Sequence, residues 1–225
     1  GFLRISSRAA TAFTLIGLLW YMVITGLSPS VIRATIMASS ILVGTVIGRK
    51  GDIYNSLSFA ALLMLAWDPT YLLDVGFQLS FAAVISIVYF YPKLELLTKL
   101  LPDRLTRFTI VESTLKLFAV SVAAQLGTLP FSAYYFGRVS LISVLANLLV
   151  VPLSGLNTLL GITTVGCSFI SGWAASCYAA LNDLLVSFLL RFVMWSSTVP
   201  YAYVETLGAG ALFTVVYYVA IAALF

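Results

Sequence analysis

Long apolar runs separated by short polar turns dominate this chain. A first run extends from Ala9 to Thr25, behind Arg4 and Arg8, and stops at the turn GLSPS. Pro29 and Ser30 suit a helix start, and a second run follows from about Val31 to Ile47, ending at Gly48, Arg49, Lys50 and Gly51. Two helices joined this tightly are predicted to be antiparallel. The third run, Ile53 to Trp67, is short for a membrane span unless its ends reach the interfaces, where residues such as Trp67 and Tyr71 belong. The fourth, Val75 to Tyr91, is about long enough to cross the hydrocarbon of a bilayer. It opens with Asp74 and Gln78, one helical turn apart on one face.

After Pro92 the pattern changes. KLELLTKLLPDRLTRF is the extended charged region, and its leucines recur at helical spacing on either side of Pro102. This predicts one or two amphipathic helices lying on the membrane surface. A fifth span is expected from about Glu112 to Leu129, carrying Lys116 and Gln125 and leading to PFSAYYFGR. From Val139 to Ile170 the chain is apolar throughout, but Pro152 falls inside, where it removes a backbone donor and clashes with the preceding turn. A discontinuous helix or re-entrant hairpin is predicted there, with its irregular backbone, Asn147 and Ser154 turned to protein or water rather than lipid. Trp173 to Trp195 and Leu207 to Phe225 complete the set.

Positive charge orients the bundle. Arg4 and Arg8, then Arg49 and Lys50, then Lys93 to Arg107 fall on one side if four spans separate them, and that side is expected to be cytoplasmic. A hairpin at Pro152 would return the chain to the outer side near Ser171. Arg191 would then lie toward the cytoplasm and the carboxyl end outside, whereas a single span would invert both; one inward arginine favours the hairpin.

Composition sharpens this picture. Hydrophobic residues make up 61% and charged residues 9% of the chain, against about a quarter charged in a soluble domain. An integral membrane protein is implied. The chain starts without Met, which reads as a fragment of a larger polypeptide. Histidine is absent, which removes serine-histidine triads, HExxH chemistry and histidine-liganded zinc. The eight carboxylates are scattered, and no nucleophile elbow or phosphate-cradling glycine loop is present. Neither an enzyme active site nor a cofactor is expected. Cys167 and Cys177 flank a turn at Ser171 and Gly172; packing is the preferred reading over a disulfide.

Polar residues within the runs form stripes. Arg33, Ser40 and Gly44 align on one helix, Thr114, Ser121 and Gln125 on another. Ser140, Ser143, Asn147 and Ser154 follow, then Ser176, Asp183, Ser187 and Arg191. Small polar residues let helices approach closely, so each stripe admits a packing role. Charges in spans also mark cavities and transport paths. Individual residues carry the same choice. Arg33 either snorkels to headgroups or lines a pore, Asp74 caps a helix or faces a path, and Lys116 pairs with Glu112 or stays available. Asp183 and Arg191, two turns apart, each need another partner or water. Most tyrosines suit interfacial belts, and a minority could stack bases.

Several blocks also resemble, in order, the membrane-embedded competence domain of the ComEC family: TGLSPSVIRATIM, GDIYNSLSFAALLML, WDPTYLLDVGFQLSFAAV, AAQLGTLPFSAYYFGRVSLISVLANLLVVPLSG and the closing VVYYVAI. An ISGLH-like segment typical of the family is absent, as are its OB-like and metallo-beta-lactamase-like modules, so any nuclease activity would belong outside this chain. The resemblance implies a channel for one DNA strand across the bacterial cytoplasmic membrane during natural transformation. It also implies single-stranded DNA, the lipid bilayer, a DNA receptor and a cytoplasmic helicase or translocase as partners.

The expected fold is all-α: one polytopic transmembrane helical bundle over residues 1–225, with a broken or re-entrant helix and a cytoplasmic amphipathic segment. Arg33, Asp74, Gln78, Lys116, Gln125, Asn147, Pro152, Ser154, Asp183 and Arg191 are the expected lining of the DNA path. A small-molecule or ion transporter and a membrane anchor for soluble nuclease modules are the alternatives.

Overall fold

The computed structural model describes residues 7–48, 51–98, 109–199, 203–206 and 211–224. They form helices α1 (Ser7–Ile24), α2 (Pro29–Val46), α3 (Ile53–Trp67), a 3-10 turn (Pro69–Leu73), α4 (Val75–Thr98) and α5 (Thr109–Phe136). Strand β1 (Arg138–Ser140), α6 (Ser143–Ser168), α7 (Gly172–Thr198), β2 (Tyr203–Glu205) and α8 (Ala211–Leu224) follow. Five of the helices are long and apolar enough to cross a membrane: α2, α5, α6, α7 and α4 from Val75 to Leu96. The chain is thus a polytopic all-α membrane protein with one small β-ribbon that the apolar pattern did not announce.

The helices begin and end where local chemistry dictates. The amide N–H groups of Gly26 and Leu27 donate to the carbonyls of Val23 and Met22, which closes α1 with a left-handed turn at Gly26, φ +75°, and Leu27, φ +56°. Pro29 then opens α2, its missing N–H being one the helix would leave unused. Asp52 caps α3 by accepting from the N–H groups of Tyr54 and Asn55. Asp68 does the same for the 3-10 turn, through the N–H and hydroxyl of Thr70.

Contacts divide the chain into two compact units, residues 1–89 and 90–225. In the first, α1 packs on α2 and α2 on α3. Its core is Leu57, Ala60 and Met64 of α3 against Phe77 and Phe81 of α4, with Ile32, Ile36 and Met37 of α2 at the margin. In the second, α6 and α7 form the closest helix pair, and α5 meets α6 and α8. The half-buried positions of α6 include Ala146, Val150, Leu153, Asn157, Leu160, Thr164 and Cys167. Spacings of three and four alternate there, the seam of a coiled coil.

Several sequence-based expectations change. Helix α4 continues through Pro92 to Thr98, so Lys93 to Thr98 extend a span rather than start a separate surface helix. The rest of the expected amphipathic segment, 99–108, lies outside the described residues. Helix α5 likewise passes Leu129 and Pro130 to reach Phe136. Most consequentially, α6 is continuous through Pro152, and the predicted break or re-entrant hairpin does not form. One lost donor and a local bend cost less than exposing irregular backbone to hydrocarbon. The cysteines are free.

The ribbon settles the order of crossings. Strands β1 and β2 pair antiparallel, Arg138 opposite Glu205, so the ends of α5 and α7 lie on one side and the Ser171 turn at the other end of the α6–α7 hairpin. Arg191 falls in the half of α7 nearer the ribbon, and with α6 unbroken the inward placement of Arg191 that rested on the hairpin loses its basis.

Candidate functional site

In the first unit, Arg33 follows Pro29 by one turn of α2. Its guanidinium carbon lies 5.7 Å from the ring centre of Phe81, which itself stacks on Phe77 at 4.3 Å. The Nε and Nη1 atoms are buried with no hydrogen-bond acceptor among the described residues. A guanidinium stays charged in a protein, and an aromatic face replaces only part of its hydration, by about 0.5–2 kcal/mol. Arg33 is therefore a cation with unspent donors, which suits an anion.

Asp74 and Gln78 behave otherwise. The Asp74 carboxylate accepts from the N–H of Phe77 at 2.7 Å and caps α4, while Gln78 Nε2 donates to the Leu72 carbonyl at 2.8 Å. Together they tie the 3-10 turn to the helix that follows. A cavity of about 890 Å³ also lies in this unit, between α1, α2 and α3. Its wall is hydrocarbon apart from the hydroxyls of Thr35, Ser39 and Ser40 and the polar edges of Trp67 and Tyr71, and no nominated path residue lines it. Such a wall offers a phosphate no cation.

In the second unit, Gln125 links elements. Its Nε2 donates to the Ser140 carbonyl at 3.0 Å and its Oε1 accepts from the Ser143 hydroxyl at 3.2 Å, so the residue joins α5 to the β1–α6 turn. Lys116 is ion-paired with Glu112 at 2.6 Å on an exposed surface. Asn147 is half-buried; Pro152 and Ser154 are exposed, and the Ser154 hydroxyl donates back to the Val151 carbonyl at 2.8 Å. Asp183 and Arg191 are both exposed. Within each unit the nominated residues thus separate into bonded structural groups and a few unspent charges: Arg33 in the first, Asp183 and Arg191 in the second.

Two further polar features escaped the stripe reading. Asn157 lies eleven residues before the end of α6 and Asn182 ten after the start of α7, both at half-buried seam positions, and among the described residues the Oδ1 atom of each is buried with no donor. Their similar distances from the facing helix ends are visible in the sequence once α6 is taken as continuous. The other feature is aromatic: the hydroxyls of Tyr217 and Tyr218 donate to the carbonyls of Leu126 and Gly127 at 3.0 and 2.5 Å. Nothing in an aromatic-rich run forecasts those partners.

Comparison with known proteins bears on what such an arrangement is for. No solved structure matches the chain. The chain is similar to ComE operon protein 3 of Bacillus subtilis (strain 168), with 31% identity over 193 residues, which cover 85% of this chain and 23% of that relative. The matched stretch is therefore under a quarter of the relative's length. The competence protein family matches residues 2–225, and this multi-pass membrane chain belongs to that family.

Proposed function

We propose that the chain forms part of the passage through which one strand of DNA crosses the bacterial cytoplasmic membrane during natural transformation. Membership of the competence protein family across residues 2–225 carries the reading. The residue chemistry supports it. A polyanion needs a wetted route with a few cations, whereas a dense Lys and Arg lining holds phosphates too tightly to release them. Arg33, whose buried Nε and Nη1 atoms have no acceptor among the described residues, is a cation of that sparse kind. The role is passage rather than catalysis and calls for no cofactor. A DNA receptor on the outer side and a helicase or translocase on the inner side are the partners it requires.

The test is Arg33→Leu beside Arg33→Lys, each in the full-length protein of a transformable cell. Uptake of labelled DNA into the nuclease-protected cytoplasmic pool is measured together with protein abundance in the membrane. Leucine should lower uptake by roughly tenfold, the worth of one charge-assisted contact, at constant abundance. Lysine should restore part of it. Unchanged uptake, or uptake falling only in step with abundance, overturns the assignment of Arg33.

A further inference from the structure

Helix α7 presents two charges to the surroundings that its own unit leaves unanswered. Asp183 stands eleven residues from Gly172 and fifteen from Thr198, so it lies near the middle of a 27-residue span. Arg191 follows eight residues on, about 12 Å along the axis at 1.5 Å per residue. The half-buried Asn182, Leu185, Leu189 and Phe192 mark the seam with α6, and helical geometry turns Asp183 and Arg191 away from that row. Helix α6 has no charged residue to offer, since Ser143–Ser168 contains no Asp, Glu, Lys or Arg. Among the described residues neither charge makes a salt bridge, and both are exposed.

Lipid does not fit this face. A charge at the centre of a span is expensive in hydrocarbon, and such residues turn to protein or to water. A strand of DNA does not fit well either, because the Asp183 carboxylate repels phosphate at mid-span. A second copy of the chain in the same orientation sets Asp183 against Asp183 at equal depth, which is repulsive.

We propose that the Asp183–Arg191 face of α7 docks one transmembrane helix from outside residues 1–225, a helix that carries Lys or Arg at the depth of Asp183 and an acceptor about two turns away for Arg191. Charge complementarity decides the occupant. A helix of this kind satisfies both ends of the dipole, and the flanking Leu184 and Leu190, both well exposed, supply the apolar contact around it. The inference goes beyond the passage reading and does not depend on it, since the helix would dock whether or not DNA moves.

A photoreactive amino acid placed at Leu184 or Leu190 of the full-length protein, in its own membrane and without added DNA, tests this. Leu156, exposed on α6, serves as the comparison position. Adducts at 184 and 190 should map to an apolar helix outside 1–225 that bears a basic residue, and position 156 should not give them. Asp183→Asn, which keeps the side-chain shape, should lower that adduct yield severalfold at equal abundance. Asp183→Lys should abolish it, and exchange of the partner's basic residue for Asp should bring it back. Adducts with lipid alone, with DNA on its addition, with α7 of a second copy, with another part of 1–225, or with a helix lacking a basic residue overturn the proposal. So does an undiminished yield in Asp183→Asn.

Discussion

Pro130 and Pro152 stand inside long apolar helices, α5 and α6, and each removes the N–H that would have met the carbonyl four residues earlier, yet their surroundings differ completely. Pro130 is fully buried, and the carbonyl it frees, that of Leu126, accepts the hydroxyl of Tyr217 from α8 at 3.0 Å. Pro152 is exposed on an α6 that has no fully buried position, and the helix runs on without interruption. A proline in a membrane helix is thus not a break in itself. What differs is the fate of the freed carbonyl: at Pro130 a partner from α8 collects it, brought there as the β1–β2 ribbon leads the chain from α7 back to α5. Thr206 reinforces that return, its N–H donating to the Gly137 carbonyl at 2.9 Å just past β2.

The contrast is broken most directly by removing the collecting hydroxyl. Tyr217→Phe leaves the Leu126 carbonyl half-enclosed in apolar surroundings without a donor and is expected to cost about 1–3 kcal/mol. Unfolding in denaturant from lipid nanodiscs reads this. Adding Pro130→Ala restores a backbone N–H to the same carbonyl, so the double variant should recover part of the loss, and a cycle without coupling would mean that the two groups act independently.

A smaller effect is expected at the other proline. Pro152→Ala should change stability by about 0.5 kcal/mol or less, as for exposed surface positions generally, and should leave DNA uptake near the parent level. A large loss of uptake at constant abundance would return the Pro152 region to the passage.

The smallest effect sharpens the rule at an aqueous end, where side chains rather than prolines govern the backbone. The hydroxyl and N–H of Thr70 hold the Asp68 carboxyl below its ordinary range. Because the folded value is the depressed one, the contribution is present above the usual carboxylate range, about 3.9, and is lost as pH falls through the lower folded value. Stability measured against pH should show a shallow acid-side slope that Asp68→Asn removes. An identical slope in the variant would assign it to other carboxylates.

Much of this protein was legible in its residues. The lengths of the apolar runs located the spans, because hydrocarbon admits only backbones that satisfy themselves, and α3 matches Ile53 to Trp67 end for end. Local chemistry also read through: Asp74 as a cap and the Lys116–Glu112 pair depend on neighbours within one helical turn. Family-like blocks identified the competence class. Tertiary structure decided what depends on distant partners. Only it shows that α6 is unbroken, that Gln125 is spent on the Ser140 carbonyl and the Ser143 hydroxyl, that Tyr217 answers Pro130, and that Arg33 keeps unspent donors. A polar residue in an apolar run has the same sequence signature whether it packs, caps or stays free. Its role is set by which atom lies within 3 Å or so, and in a bundle that atom belongs to a residue far away in the chain.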